Sequence, residues 1–296
     1  MIPIGYIVKH PLKSFAVALE RFGALVPDKW YLKIQYRAHI GKRLNFKNPT
    51  SFNEKLQWLK LYDRKPEYTI MVDKYLVKKY VSQIIGEEYI IPTIGVWKSP
   101  NEIEFNKLPT QFVLKCNHNS GGVIVCSDKS KLNISEAKKK LSASLKQDYY
   151  LFGREWPYKN VERRIIAEKY IEDTENGELT DYKLMCFNGE VKCTFTCTER
   201  NKNLKVTFFD NNWKRMPFER HYPASKKEIR KPENFDKMKQ LAQLLSHNIP
   251  FVRIDFYEVK GKVFFGEMTF YPGCGYEEFT PKEWDEKLGS WIKIKI

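Results

Sequence analysis

Residues 251–273 have the sequence FVRIDFYEVKGKVFFGEMTFYPG, in which two alternating strands flank Lys260-Gly261-Lys262. A three-residue loop that contains glycine is a common hairpin connection. With this loop, Asp255 of the first strand lies directly opposite Glu267 of the second. The same register predicts three further pairs: Arg253 with Thr269, Tyr257 with Phe265, and Val259 with Val263.

Side chains alternate between the two faces of a strand, so Arg253, Asp255, Glu267 and Thr269 are expected on one face. The opposite face is predicted to be core: Val252, Ile254, Phe256, Phe264, Met268 and Phe270. Two acids directly opposite each other repel unless a cation lies between them. Magnesium prefers carboxylate oxygens and bridges phosphates, but Arg253 neutralising both acids explains the pattern equally well. A register slip of one residue would separate the acids.

Composition and charge narrow the function to proteins that bind anions. The 296 residues are 42% hydrophobic and 29% charged, which is typical of a folded globular protein, and the formal net charge is +15. Such a field attracts anions. The basic residues are scattered, without an arginine-rich block or zinc-finger spacing, so specific nucleic-acid binding is not expected.

The six cysteines lack the spacing of a zinc site, and no apolar run approaches the ~20 residues that span a bilayer. A cytoplasmic protein with reduced thiols is the simplest interpretation.

The first part of the chain is predicted to be helical. Residues 10–26 form an amphipathic pattern with Leu12, Phe15, Leu19 and Phe22 on one face. This face could lie on a membrane surface or a partner, although packing on the chain's own domain is favoured. A second helix is expected over residues 51–62, and a third from about residue 72 to residue 85.

Capping residues mark the start of the second helix and the end of the third. Ser51 and Glu54 have the spacing of a capping box at the start of the second helix, and Gly86 ends the third. Short strands follow from residue 89, with helices near residues 134–147 and 233–247. This order predicts an α+β architecture with an antiparallel sheet.

The segment FVLKCNHNSGGVIVCS, residues 112–127, places a polar turn between two apolar strands. Gly121 and Gly122 permit close backbone approach, and the amides of such a turn can cradle phosphate oxygens. Lys115 lies on the strand that leads into the turn and could reach the same phosphates. The spacing is not that of a Walker P-loop. Considered alone, the turn is more often a plain hairpin connection.

Residues 165–183 begin as a buried strand and continue into an acidic polar segment. The backbone of a strand that leaves a core can bind an adenine edge, and a nearby carboxylate can bind ribose hydroxyls. An exposed strand end is the default interpretation.

Taken together, seven ordered motifs resemble the TupA-like family of ATP-grasp enzymes, which is associated with bacterial surface-polysaccharide and teichuronopeptide synthesis. The motifs are NPTSFNEKLQWLKLYDR, DKYLVKKYV, LPTQFVLKCNHNSGG, AEKYI, DYKLMCFNGE, VRIDFYEV and FGEMTFYPG. They cover nearly the whole chain after the first helix. Each is weak alone, but their order is specific.

The resemblance implies a role for each matching position. The residues implied in ATP binding are Lys74, Lys115, Ser120, Gly121, Gly122, Glu168, Lys169, Tyr170, Ile171, Asp181 and Lys183. Those implied in holding Mg2+ are Asp255, Glu267 and Thr269. Arg253 and Lys183 are the implied catalytic cations, which stabilise the reacting phosphoryl and acyl groups.

Three further positions are treated separately. The wider superfamily has asparagine two residues after the second acid, whereas this chain has Thr269, which offers one hydroxyl oxygen and weakens the expected second metal site. Arg200 is a candidate for binding an acidic substrate, although a solvated strand end explains it equally well. His118 is expected to be structural.

The resemblance implies an α+β ATP-grasp fold, in which two α+β subdomains clasp ATP, after a mostly helical N-terminal region. The expected boundaries are 1–88 for the helical region and 89–296 for the ATP-grasp domain, with a lid at about 112–167 and a large subdomain at about 168–296.

The implied reaction is ATP- and Mg2+-dependent ligation of a carboxylate to an amine through an acyl phosphate. The expected partners are an anionic sugar or glycan acceptor, such as a uronic acid, and an amino acid or amine. The expected location is the cytoplasm, with possible peripheral contact at the inner face of the membrane. Two alternatives stay open at this point: a metal-dependent glycosyltransferase, and a non-catalytic binder of nucleic acid or membrane surfaces.

Overall fold

The computed structural model describes residues 11–172, 179–200 and 203–295. Helices dominate the first part of the chain and recur between the strands. The α-helices are α1 (Pro11–Phe22), α2 (Asp28–Ile40), α3 (Phe52–Tyr62), α4 (Glu67–Val72), α5 (Leu76–Ile85), α6 (Ile134–Leu145), α7 (Tyr149–Gly153), α8 (Phe235–Leu245) and α9 (Glu283–Trp291). In the described part of the chain, no helix is long and apolar enough to cross a membrane.

Strands begin after residue 92. They are β1 (Thr93–Trp97), β2 (Phe112–Cys116), β3 (Ile124–Cys126), β4 (Ile165–Lys169), β5 (Asp181–Phe187), β6 (Glu190–Thr198), β7 (Lys205–Phe209), β8 (Glu219–Arg220), β9 (Phe251–Val259), β10 (Lys262–Thr269) and β11 (Phe279–Thr280).

The strands form two main antiparallel sheets. One sheet has four strands in the order β1-β4-β2-β3, and the other has five in the order β10-β9-β5-β6-β7. A small pair, β11 with β8, completes the described strands. The predicted α+β architecture with antiparallel sheets is therefore confirmed. The subdomain boundaries expected at residues 112, 167 and 168 remain a proposal. β1 lies before the expected start of the lid, yet it pairs with β4 in the same sheet as β2 and β3.

The predicted helix over residues 51–62 is confirmed together with its cap. The Ser51 hydroxyl accepts a hydrogen bond from the Glu54 amide at 3.3 Å, and the Glu54 carboxylate accepts one from the Ser51 amide at 3.4 Å. Both interactions satisfy amides that the first helical turn leaves without partners. The helix buries Phe52, Leu56 and Leu59 against the main core.

The single helix predicted from about Val72 to Ile85 is wrong at its start. Val72 ends α4, and α5 begins only at Leu76. The Asp73 carboxylate accepts hydrogen bonds from the amides of Tyr75 and Leu76, which holds the intervening residues in a turn. The break therefore places Lys74 outside a helix. The predicted end at Gly86 is confirmed.

The predicted N-terminal amphipathic helix is present as α1, followed by a 3-10 turn over Gly23–Leu25. It docks on the chain's own domain, as favoured, but mainly through Ser14 and Ala16, which are buried. Three of the four side chains of the predicted apolar face remain exposed: Leu12, Phe15 and Phe22.

The β9–β10 hairpin differs from its predicted form near the turn. The connection is a two-residue turn, Lys260-Gly261, with positive φ at both residues, as a type I′ turn requires. A bulge at Gly266 then shifts the register by one residue. Beyond the bulge, Glu267 pairs with Asp255 and Thr269 with Arg253, as predicted.

Between the turn and the bulge, the predicted pairing is wrong. Val263 pairs with Glu258 and Phe265 with Phe256, so the pairs Val259–Val263 and Tyr257–Phe265 do not form. Phe264, predicted as core, is only half-buried, because the shift turns Phe265 inward instead. The other predicted core residues of the hairpin are buried: Val252, Ile254, Phe256, Met268 and Phe270.

Close packing of α9 on the start of α3 fixes how the C-terminal helix docks. A Cβ at Gly289 would lie 2.2 Å from the Thr50 carbonyl oxygen and 2.7 Å from the Phe52 amide nitrogen. Both atoms belong to backbone, which cannot move aside like a flexible side chain.

We expect Gly289→Ala to lower the free energy of unfolding by about 1–3 kcal/mol, the usual cost of overpacking. Urea unfolding followed by circular dichroism measures this difference. Gly23→Ala is the matched control, because its Cβ would meet Leu19 at an ordinary 3.4 Å and its φ lies outside the left-handed region. Equal stability of Gly289→Ala and the parent chain would contradict the observed packing.

Candidate functional site

A cleft of about 820 Å³ is lined by residues of both sheets. It brings together most of the predicted site residues. Those that line it are Lys74, Lys115, Ser120, Gly121, Glu168, Lys169, Tyr170, Ile171, Asp181, Lys183, Arg200, Arg253, Asp255 and Glu267. Gly122 and Thr269 are the predicted residues that do not line it.

Arg253 binds both acids of the β9–β10 hairpin. Its Nε and Nη2 atoms donate to the two carboxylate oxygens of Asp255 at 2.6 and 2.7 Å, and Nη2 also donates to Glu267 Oε1 at 2.6 Å. Bidentate arginine–carboxylate bonds are strong and directional. The interpretation in which Arg253 neutralises the acids is therefore realised in the structure, but the acids lie in a cleft and not on a solvated face.

A second cation joins this cluster from the neighbouring strand. β5 pairs with β9 so that Lys183 lies opposite Asp255. The Lys183 ammonium contacts both Asp255 and Asp181, the latter at 3.0 Å. Arg200 forms an ion pair with Asp181 at the other end. The result is an alternating row of cations and acids across three adjacent strands and the segment that follows β6.

The charges in this row set the protonation of the acids. Burial alone would raise the pKa of Glu267, but Arg253, and then Lys74 and Lys183, lower it to about 2. Burial also raises the pKa of Asp255, and there it outweighs the opposing effect of Arg253 and Lys183. The Glu267 charge adds to this increase, so a further cation beside the pair would lower the pKa of Asp255.

The opposite wall of the cleft holds a buried carboxylate between two lysines. Glu168, on β4, forms ion pairs with Lys78 and Lys115, each at 2.7 Å. Lys78 also donates to the Ile91 carbonyl at 2.7 Å, so it is fixed in place. The sequence analysis did not predict Lys78, although it stands in the DKYLVKKYV motif four residues after Lys74.

The glycine-containing turn contacts Lys74. The Lys74 ammonium donates to the Asn119 carbonyl at 2.6 Å, which joins the turn to the helix break. Gly121 lines the cleft with a φ of +89°, a conformation that favours glycine. Gly122 is directed elsewhere, since a Cβ there would lie 2.6 Å from the Ser144 hydroxyl.

Apolar side chains line the part of the cleft nearest the β4 end, and sequence reasoning missed them. They are Ile91, Val113, Val123, Val125 and Leu179. Val113 precedes Lys115 by two residues, so strand alternation places both on one face. That alternation was a usable signal for Val113. Lys169, at the end of β4, and the next residues Tyr170 and Ile171 line the cleft together with these side chains.

Three other predictions have simple outcomes. Thr269 donates its hydroxyl hydrogen to Glu267 Oε1 at 3.2 Å, so it supports the acid although it does not line the cleft. His118 is buried, and a ring nitrogen lies 3.1 Å from the Gln147 carbonyl. Burial lowers the pKa of His118 to about 4, which keeps it neutral. A substrate role for Arg200 remains a prediction, because its recorded partner is Asp181.

The donors in the cleft suit a hard cation shared with a ligand. Across residues 11–172, 179–200 and 203–295, no group of three or more histidine, cysteine or acidic side chains is arranged to hold a metal. Asp255 and Glu267 are, however, paired on one face, and 37% of the Glu267 side chain is exposed. Two carboxylates fit Mg2+ when phosphate oxygens or water supply its other ligands.

A family model matches most of the sequence, and several solved structures are distantly similar to this chain. No curated protein matches the sequence. Among solved structures, the D-alanine–D-alanine ligase of Helicobacter pylori is 15% identical, with a TM-score of 0.43 over 83% of this chain and 70% of that one. The ATP-bound D-alanine–D-alanine ligase of Bacillus anthracis is 15% identical, with a TM-score of 0.40 over 68% of this chain. The match spans only about half of that enzyme, 54% of its length.

A third solved structure, the N5-carboxyaminoimidazole synthase of Aspergillus clavatus in complex with ADP, is 13% identical with a TM-score of 0.37, and the match covers 68% of this chain and 44% of that one. The family described as TupA-like ATPgrasp matches residues 54–293, which include every residue of the cleft. The chain therefore belongs to the TupA-like ATP-grasp family and has the ATP-grasp fold.

Proposed function

We propose that this protein is an ATP-dependent carboxylate–amine ligase that acts through an acyl phosphate. The observation that carries the proposal is the cleft itself, in which cations on both walls face a pair of acids on adjacent strands. Lys115 lies on the four-stranded sheet, and Lys183 and Arg253 lie on the five-stranded sheet. Lys74 lies in the turn between α4 and α5 and also lines the cleft. Membership of an ATP-grasp family supports ATP as the nucleotide and favours a ligase over a glycosyltransferase.

The two ends of the cleft suggest how ATP would lie. The apolar side chains and the backbone of residues 168–171, which we call the hinge, suit an adenine ring, and Asp181 would accept hydrogen bonds from ribose hydroxyls. The cationic end, with Lys74, Lys115 and the turn at Ser120 and Gly121, suits the triphosphate. Backbone amides of such a turn can bind phosphate oxygens.

In this proposal, Asp255 and Glu267 would hold Mg2+, with Thr269 supporting Glu267. When bound, Mg2+ supplies positive charge that neutralises the phosphate oxygens. The paired acids are the only ligands that we assign to it, so the nucleotide would complete its coordination.

The proposed reaction has two steps. A carboxylate oxygen of the acceptor attacks the γ-phosphorus of ATP, an oxygen–phosphorus bond forms, and the bond to ADP breaks. An amine then attacks the acyl carbon, and phosphate leaves as the amine loses a proton. Arg253 and Lys183 would neutralise negative charge that develops on the phosphoryl and acyl oxygens. Lys74 and Lys115 would orient the triphosphate for attack.

We further propose that the acceptor is a uronic acid of a bacterial capsular or cell-wall glycan and that the amine is an amino acid. The formal net charge of +15 suits an anionic acceptor. Arg200, at the end of the charged row, is the side chain that we assign to acceptor binding. The reaction would take place in the cytoplasm, where ATP is available.

Asp255→Asn and Glu267→Gln are each expected to lower ADP release by about 100-fold or more, since each removes a proposed metal ligand from the reacting centre. A coupled assay for ADP measures the loss, and circular dichroism checks the fold. The matched control is Glu190→Gln, because the Glu190 side chain is 65% exposed and pairs with the surface residue Lys192, outside the cleft. ADP release at the parent rate by both cleft variants would refute the metal assignment.

Lys115→Met is expected to weaken ATP binding by about tenfold or more, through loss of a charge-assisted contact to phosphate. Isothermal titration with ATP and Mg2+ measures the affinity. Lys107→Met serves as the control, since the Lys107 side chain is 71% exposed and pairs with Glu104 outside the cleft. Unchanged affinity in Lys115→Met would contradict a phosphate role for this residue.

A substrate screen tests the proposed acceptor class. Glucuronic and galacturonic acids, free and as glycosides, are combined with a panel of amino acids, and ADP and phosphate release are measured. We expect release that requires both a uronic acid and an amine. Release that depends on an amine and a non-sugar carboxylate would keep the ligase chemistry but reject the glycan acceptor.

A further inference from the structure

The N-terminal helices carry a cluster of exposed apolar side chains outside the cleft. We call it the N-terminal patch: Leu12, Phe15, Phe22, Leu25 and Trp30. Their exposed fractions are 38%, 53%, 76%, 97% and 62% respectively. Scattered single apolar residues on a surface are ordinary, but a cluster of this size marks an interaction site.

The members of the patch are neighbours in space. Leu12, Phe15 and Phe22 recur at helical spacing on α1, so they share a face. Leu12 and Trp30 line the same groove between α1 and α2. Leu25 lies in the 3-10 turn that joins these two helices, and with Phe22 it forms an apolar tip.

Basic side chains surround the patch. Lys33, Arg37 and Arg43 line the groove together with Leu12 and Trp30. The Lys33 ammonium lies over the Trp30 ring, 5.1 Å from its centroid. In the sequence, residues 11–47 contain eight lysines and arginines but only two acids.

Both of these acids are partly buried. Asp28 forms an ion pair with Arg64 at 2.8 Å and accepts a hydrogen bond from the Tyr150 hydroxyl at 2.6 Å. Glu20 is half-buried, and burial raises its pKa. The positive charge around the patch is therefore little offset by local acids.

We propose that the N-terminal patch docks this protein onto the surface of an anionic lipid bilayer. Apolar side chains at a tip can enter the boundary between headgroups and acyl chains, where tryptophan is favoured. The surrounding lysines and arginines attract anionic headgroups, and the two contributions together give stable but reversible binding. A protein partner would need acidic side chains positioned opposite these basic residues. An anionic bilayer instead presents negatively charged headgroups across its whole surface.

The patch is joined to the cleft by the α7 segment. The Tyr31 hydroxyl donates to the Phe152 carbonyl at 2.7 Å, and Arg154 donates to the Gly23 carbonyl at 2.6 Å. At the other end of this segment, Tyr149 is close enough to Ser120 of the glycine-containing turn for the Ser120 side chain to lower the pKa of Tyr149 slightly, against the larger increase from burial. Docking would therefore hold the cleft near the membrane. The proposal does not depend on the ligase reaction.

Co-sedimentation of the full chain with phosphatidylcholine vesicles, with and without phosphatidylglycerol, tests the proposal. We expect binding to vesicles that contain phosphatidylglycerol, weaker binding without it, and a further decrease as salt is added. The variants Leu25→Ser/Trp30→Ser and Arg37→Glu/Arg43→Glu should each bind at least tenfold more weakly than the parent chain.

Leu244→Ser is the matched control, because Leu244 is a 56% exposed apolar side chain on α8, away from the patch. It should bind like the parent chain. Leu25→Ser alone, at a 97% exposed position, keeps the test valid if a double variant does not fold. ADP release, measured without lipid, should be the same in all of these variants.

Three outcomes would overturn the proposal. The first is failure of the parent chain to sediment with either kind of vesicle, and the second is binding of the patch variants as tight as that of the control. The third is a dimer in size-exclusion chromatography without lipid that Leu25→Ser/Trp30→Ser abolishes, which would assign the patch to a second copy of the chain. Loss of ADP release in the parent chain would instead reject the ligase proposal and leave membrane docking intact.

Discussion

The arrangement of the cleft depends on one interaction, the contact of Arg253 with Asp255 and Glu267. Two carboxylates on adjacent strands repel, and burial makes each charge costly unless it is paired. Arg253, on the same strand as Asp255, pairs with both carboxylates. It donates two hydrogen bonds to Asp255 and a third to Glu267. The bulge at Gly266 is what brings Glu267 opposite Asp255. A small irregularity in one strand thus fixes the position of the charged group.

The rest of the fold contributes cations and a cover to this group. β5 places Lys183 against Asp255, and the break between α4 and α5 places Lys74 in the same cleft. The four-stranded sheet contributes Lys115, which Glu168 holds on the far wall. The cations lie around two acids in a cleft of ligand size, an arrangement that suits a polyphosphate with a bound cation.

The hairpin part of the site can be predicted from local rules, whereas the roles of Lys74, Asp181 and Lys183 are implied only by the family resemblance. Alternation along two strands, and the opposition of Asp255 and Glu267, followed from the sequence of one hairpin. The turn itself was predicted one residue too long, yet the pairing of the acids is correct because the bulge at Gly266 compensates for the error. Tertiary contacts were not predictable in this way. The break between α4 and α5, which leaves Lys74 in the cleft, depends on the hydrogen bond from the Tyr75 amide to Asp73. The ion pair of Lys78 depends on Glu168, a carboxylate ninety residues further along the chain.

In the proposed reaction, a carboxylate attacks ATP and forms an acyl phosphate in this cleft. Transfer of oxygen isotope from the acceptor tests it most directly. With an acceptor that carries oxygen-18 in its carboxylate, the attacking oxygen stays on phosphorus when the amine displaces phosphate. We therefore predict, by mass spectrometry, that each phosphate released with the amide contains one oxygen-18 atom. Phosphate without the label, or release of AMP and diphosphate instead of ADP, would contradict the account.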